Sequence, residues 1–311
     1  MISRMTLVGA LVVVELGIVG MAAKAVGDPG PSGPFGFQPP TALGPWTKGQ
    51  TTSSDVDKSF FTGPVAHVHV DVAGVHVIVQ AASTNSVHVV GRTHRGGWVT
   101  GDFPPISAVQ TPDGVRITAR ADDGPHVTFG MLTREVQITV PAAALVEVVG
   151  AERIDASGLR AKFVAHIVEG PIYVKDHRGD LDLSCSGGRI VLVDVQGADI
   201  AANTRDGRLL FTRVGADRID ATTGSGRIAA VDLRAVDGAL ITHDGRVSVS
   251  FTSNTDATVN VHTGDGHVNV AGLPATESED RRSVVHVGTG RGHFEVSSGD
   301  GSITITQGAS V

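Results

Sequence analysis

The sequence predicts an all-β protein whose larger part is a parallel β-helix, or solenoid, with rungs of about 19 residues, preceded by a region of β hairpins. Three observations carry this. A phrase of hydroxyl residue, turn, glycine, polar residue and aliphatic residue recurs at Thr204 to Leu209, Thr223 to Ile228, Thr242 to Val247 and Thr263 to Val268, with variants at Ser186 to Ile190, Thr289 to Phe294 and Ser298 to Ile303. Its glycines Gly188, Gly207, Gly226 and Gly245 recur at one even interval, the mark of a stacked repeat. Apolar and polar residues alternate with period two over the Val-rich runs, and no amphipathic helix follows residue 25. So short a unit, with two or three short strands, cannot bury its own apolar faces, and successive units have to stack. A propeller blade would need about 40 residues, which this period disfavours.

Residues 1–25 open with Arg4, run apolar from Met5 to Ala23 apart from Thr6 and Glu15, and meet Lys24. This is a signal peptide, for which Ala23-Lys24-Ala25 offers the small-x-small cleavage pattern, or a membrane anchor, in which residues 5–23 touch the bilayer if uncleaved. Either way the remainder is expected outside the cytoplasm. Residues 26–58 are rich in Pro, Gly and Ser and read as a linker, with Phe35, Phe37 and Trp46 as isolated aromatics. From 59 to about 150, runs such as Val65 to Val70, Val75 to Val79, Ser86 to Val90, Val115 to Ala119 and Val136 to Val140 are strands separated by turn residues, which suggests long hairpins capping the next region. Residues 151–311 form the solenoid repeats, and seven or so rungs would span about 30 Å. The spacing between Gly266 and Gly292 widens to 26, around Pro274 to Arg282, as a solvated excursion. The chain then closes on the strand Ser302 to Thr306, an open end expected to be covered by that excursion or by another subunit.

Composition narrows the function. The formal charge of −7 and the 4% aromatic content give neither a basic field nor stacking platforms for nucleic acid. Cys185 is the single cysteine, so no intramolecular disulfide forms, and its alternation with Leu181 and Leu183 makes it a buried thiol. No Walker loop, nucleophile elbow or His-Glu-x-x-His helix occurs, and no cofactor is expected.

The exported leader, the Val-rich runs from Phe60 to Val90 and the repeated Thr-x-Asp/Ser-Gly-Arg/His-aliphatic phrase resemble the bacterial putative-adhesin family, a β-strand-repeat domain family of unknown function related to auto-transporter adhesin-head domains. The likeness covers about residues 60 to 307 and is one of pattern. It implies a right-handed β-helix at the cell surface and carries no functional residues over.

The candidate site is a column of cations, Arg189, Arg208, Arg227, Arg246, His267 and His293, each following a turn glycine. Stacking would bring neighbours about 5 Å apart, a ladder able to grip a polyanion such as an acidic polysaccharide or a phosphate polymer. The plainer alternative is a solvated turn edge, neutralised diagonally by Asp206, Asp244 and Asp265. His67 and His69 share a strand face that His76 and His88 would have to complete to bind a metal, without any zinc-type spacing. Arg178-Gly179-Asp180 spells a cell-attachment tripeptide but occupies an inter-strand turn. The function expected is a non-enzymatic, exported envelope or surface scaffold for binding a glycan or other polyanion, or for self-association through the solenoid end. The alternative is a polysaccharide-binding or polysaccharide-degrading β-helix, with Asp180, Asp182, Asp194 and Asp199 as its carboxylates.

Overall fold

The computed structural model describes residues 51–100, 103–119 and 127–308. The expected leader, residues 26–50 of the linker and the aromatics Phe35, Phe37 and Trp46 lie outside the described residues. Among the described residues no helix is long and apolar enough to cross a membrane.

In chain order the strands are β1 (Thr51–Phe61), β2 (His67–Val72), β3 (His76–Ala82), β4 (Ser86–Thr100), β5 (Ser107–Thr111), β6 (Gly114–Ala119), β7 (Val127–Pro141), β8 (Leu145–Val149), β9 (Arg153–Ser157), β10 (Phe163–Glu169), β11 (Ile172–Arg178) and β12 (Leu181–Gly187). Three long strands follow, β13 (Arg189–Thr204), β14 (Arg208–Thr223) and β15 (Ile228–Thr242). The chain continues through β16 (Val247–Phe251), β17 (Ala257–Thr263), β18 (Val268–Ala271), β19 (Ala275–Glu279), β20 (Arg282–Val287), β21 (Gly292–Ser298) and β22 (Ile303–Gln307).

These strands build two parallel ladders. One runs β6, β2, β8, β10, β12, the second halves of β13, β14 and β15, then β21 and β17. The other runs β7, β3, β9, β11, the first halves of β13, β14 and β15, then β16, β22 and β18. Strands β13 to β15 bend through a corner and serve both ladders, each residue facing its equivalent one repeat later, as Ile190 faces Leu209 and Leu209 faces Ile228. Ten strands per ladder at about 4.8 Å give a stack of about 43 Å, longer than the expected span of about 30 Å. The extra length comes from residues expected to form only hairpins.

Hairpin pairing does occur in β1 with β4, β4 with β7 and β5 with β6, and β1 takes residues 51–58 from the expected linker. Strands β2 and β3 behave differently. They pair in parallel with β8 and β9 on one side and with β6 and β7 on the other, as full rungs of the solenoid. Alternation tells which face of a strand is apolar and leaves its partners open.

The C-terminal end also departs from chain order. The β21–β22 rung lies between the β15–β16 rung and the β17–β18 rung, so the last strand sits inside the stack instead of at an open end. The excursion becomes the hairpin β19–β20, and β20 covers β17 by antiparallel pairing.

Inward residues of both ladders form one core of Val, Ile, Leu and Ala, with Phe163, Phe211, Phe251 and Phe294 fully buried. Phe251 and Phe294 meet edge to face, centroids 5.5 Å apart, the arrangement that the ring quadrupoles favour. The corner after the second ladder repeats a left-handed backbone at Asp176, Asp194, Arg213 and Asp232 (φ 52°, 57°, 52° and 56°). Aspartate tolerates this conformation. Arg213 is held there by a fork onto Asp194, Nε to Oδ1 at 2.5 Å and Nη2 to Oδ2 at 2.8 Å, and these bonds keep the Asp194 carboxyl below its ordinary range.

Candidate functional site

The repeated phrase makes a rigid turn before it presents a cation. Thr223, Thr242, Ser298 and Thr263 are buried in one column. Each hydroxyl accepts the N–H of the glycine three residues on, from Gly226 (3.2 Å), Gly245 (3.1 Å), Gly301 (2.9 Å) and Gly266 (3.2 Å). Each donates to a glycine carbonyl of the adjoining rung, Gly207 (3.0 Å), Gly226 (2.9 Å), Gly245 (2.9 Å) and Gly301 (2.8 Å). The glycines are required by close approach. A Cβ at Gly226 would stand 1.5 Å from the Gly207 oxygen, and one at Gly245 would stand 1.6 Å from the Gly226 oxygen. Cys185 begins the column, facing Thr204 and donating its thiol to Thr204 Oγ1 at 3.4 Å. Burial pushes that thiol's pKa up, the condition of an unreactive cysteine.

The residue after each glycine emerges beside this column. Arg189 pairs with Arg208 in register. Leu209 N–H to Arg227 O (3.0 Å) and Ile228 N–H to Arg246 O (3.0 Å) carry the row on. All four arginines are exposed. The diagonal neutralisation does not form: among the described residues Arg208, Arg227 and Arg246 have no carboxylate within 4 Å, and Asp265 pairs instead with Arg281 at 3.5 Å. Unit charges at the strand spacing of about 4.8 Å repel by about 0.9 kcal/mol per pair in water. An anion laid along the row would relieve that repulsion.

Of the two histidines, His267 keeps to the column one rung further on than expected and His293 leaves it. Ser302 comes between Arg246 and His267, because Val247 N–H bonds Ser302 O (3.1 Å) and Ile303 N–H bonds His267 O (2.9 Å). The inserted C-terminal rung causes this interruption. His293 belongs to the other ladder, opposite Thr258, where its N–H donates to Asp237 Oδ1 at 2.8 Å.

The remaining candidates are dispersed. His67 and His69 lie on the first ladder and His76 on the second, and each meets a different carboxylate: Asp113 (3.4 Å), Glu147 (3.1 Å) and Asp155 (2.5 Å). His88 stands near Asp57 (3.7 Å). Among the described residues no three of His, Cys, Asp and Glu are grouped to hold a metal ion. Asp180 of the tripeptide accepts the N–H groups of Ala198 (3.2 Å) and Asp199 (3.1 Å), and Arg178 reaches Gln196 Oε1 (2.9 Å), so both side chains brace the turn. Asp194 is tied to Arg213 and aligns with Asp176, whereas Asp180 aligns with Asp199 on the far side of the same corner.

The row extends further toward the N-terminus than the repeat suggested. Ile172 faces both Ile154 and Ile190, which aligns Arg153, Pro171 and Arg189. Rungs there are shorter than the regular repeat, so counting back by its interval misses Arg153. Pro171 leaves a notch in the row where two surface hollows meet, one touching His76 and Arg153 and the other Arg189 and Arg208. Tyr173 lies between the flanking guanidiniums, 4.8 Å from Arg153 and 5.2 Å from Arg189, and its hydroxyl bonds Arg189. Arg153 also forks onto Asp155 at 2.7 and 3.1 Å. Burial pushes the Asp155 carboxyl up, but hydrogen bonds from His76 and Arg153 outweigh it and hold the group below its ordinary range.

Together these features define an all-β solenoid displaying a repeated cation on stacked, internally bonded turns. The chain belongs to the Toastrack DUF4097 family, whose model matches residues 66–307. The family is a domain family of unknown function with a β-rich fold. No curated protein matches the chain. Solved structures similar to it include a putative adhesin of Bacteroides fragilis, 10% identical over 84% of this chain and 98% of that one, with a TM-score of 0.46. A putative adhesin of Parabacteroides merdae is 12% identical over 83% and 97%, TM-score 0.45. A putative lipid binding protein of Parabacteroides distasonis is 12% identical over 83% and 97%, TM-score 0.45.

Proposed function

We propose that this protein is a non-enzymatic, extracytoplasmic surface protein of adhesin type, whose right-handed solenoid, with rungs of about 19 residues, holds Arg189, Arg208, Arg227 and Arg246 as a binding row for a polyanion. One observation carries the reading: four exposed arginines in successive registered turns, three of them without a carboxylate within 4 Å among the described residues. The bonded hydroxyls of Thr223 and Thr242 fix the turns that carry Arg227 and Arg246, so binding has to order the arginine side chains but not the backbone beneath them. The apolar run Met5 to Ala23 supports export or anchoring, and crossovers between parallel strands are right-handed in about 98% of cases, which supports the winding. Self-association through the solenoid end fits less well, because β20 already covers β17.

The full chain on a glycan and polyanion array, with the triple variant Arg208→Glu, Arg227→Glu and Arg246→Glu beside it, tests the proposal. Retention of one or more polyanions that weakens with added salt and disappears in the variant is expected. Polyanion binding unaltered by the three reversals would remove the row from the function.

A further inference from the structure

We infer that the polyanion is an acidic polysaccharide of the uronate type, lying along the arginine row with one sugar ring per rung; this rests on the binding row proposed above. What distinguishes ligands is the strand face beside the row. Two positions after Arg189, Arg208 and Arg227 stands an outward aliphatic side chain, Val191 facing Leu210 and Leu210 facing Ala229 in register. A second outward column holds Val193, Thr212 and Val231, the last 51% exposed. Hydroxyls continue the first column at Ser248 and Thr304. Among the described residues from β13 to β22, the carboxylates on the second ladder's strands, Asp194 and Asp232, stand at the corner that ends this face, beyond both columns, and Asp194 is tied to Arg213.

A ligand that matches this face must present anions to one edge and apolar surface to its neighbour, repeated at about 4.8 Å. A phosphate polymer offers charge and no apolar surface, so the aliphatic column would gain nothing. A uronate ring carries a carboxylate on one side, a face of C–H groups, and hydroxyls for the serines and threonines. Aromatic stacking plays no part here, because Tyr173 is already taken by Arg153 and Arg189. Binding therefore rests on exposed ion pairs and aliphatic contact, and it is salt-sensitive.

Calorimetric titration of the full chain with size-graded oligogalacturonates, with polyphosphate and with vesicles of anionic phospholipid tests the inference. Affinity should rise with oligomer length and level off once the ligand spans the four arginines, about four rings at about 4.8 Å per rung. Each Arg→Gln change in the row should weaken binding about 2–5-fold. Leu210→Thr, which keeps β propensity and all four charges, should weaken galacturonate while leaving polyphosphate unchanged. A wild-type far-UV circular dichroism spectrum checks its fold, and carboxyl-reduced galacturonan should not bind. Polyphosphate or vesicles bound more tightly than galacturonate, or Leu210→Thr without effect, would overturn the sugar assignment and leave the binding row standing. No polyanion bound at all would overturn both.

Discussion

Replacing Thr223 by valine isolates the hydroxyl column from everything else in the rung. The side chain is 1% exposed, accepts Gly226 N–H at 3.2 Å and donates to Gly207 O at 3.0 Å. Valine has nearly the same shape, so the core keeps its packing while both backbone groups lose their partner. A buried polar group left unpaired costs about 1–3 kcal/mol, so the two together cost about 2–6 kcal/mol. The methyl that replaces the hydroxyl returns about 0.8 kcal/mol, and the expected loss centres on about 3 kcal/mol. Thr223→Ser keeps both bonds and should cost about 1 kcal/mol, the transfer value of one methyl; Ser298 already serves in this column. Thr222→Val, on the exposed side of the same strand, is the surface control and should stay within about 0.5 kcal/mol. Urea unfolding gives the stabilities. Amide exchange at Gly226 shows whether the loss is local, since a solenoid's stability is a sum over rungs and their interfaces. A Thr223→Val protein as stable as the serine variant would contradict the view that the hydroxyls, and not side-chain packing, hold the turns.

Gly226→Ala should cost more than about 3 kcal/mol, because the added Cβ falls 1.5 Å from Gly207 O, whereas Gly187→Ala meets nothing within 4 Å and should be neutral or stabilising by up to about 1 kcal/mol; equal thermal midpoints for the two would count against the contact argument. His177 is buried opposite Val195, with its Nε2–H on Gly179 O at 3.1 Å and Nδ1 unpartnered, and burial lowers its pKa against that bond. The unfolded chain then takes up a proton near pH 6.5 that the folded chain refuses, so its stabilising effect is complete above about pH 6.5 and declines as the pH falls. His177→Leu should lose less stability than wild type between about pH 7.5 and 5.5 in paired urea titrations, and an equal loss would exclude His177 as the source. Deleting residues 292–311 removes the rung shared by β15–β16 and β17–β18. Exchange protection should collapse in β17 and β18 and persist in β8 to β12, and protected β17 amides in the truncated chain would show that the inserted rung is dispensable.

Much of the arginine row was legible from spacing, because a phrase repeated at an even interval puts Arg189, Arg208, Arg227 and Arg246 at equivalent points of successive rungs. His267 and His293 carried the same local signature, yet His267 is separated from Arg246 by Ser302 and His293 lies on the other ladder. The phrase specifies the shape of a turn and says nothing about which rung lies next to it. Arg153 was missed for the opposite reason, since its rung is shorter than the regular repeat and lacks the phrase. The absence, among the described residues, of neutralising carboxylates around Arg208, Arg227 and Arg246 depends on side-chain directions at the turn, which spacing leaves open.

Alternation, glycine placement and hydroxyl placement all act within a single rung, and for that reason the all-β character, the inward and outward faces and the turn chemistry could be read from the order of residues alone. The order of rungs could not. Long-range pairing placed β2–β3 inside the stack and set the final rung between β16 and β18. Rungs with the same apolar pattern offer nearly the same edge to any neighbour, so their sequence along the stack is settled by which strands meet across the fold and by loops long enough to let the chain return.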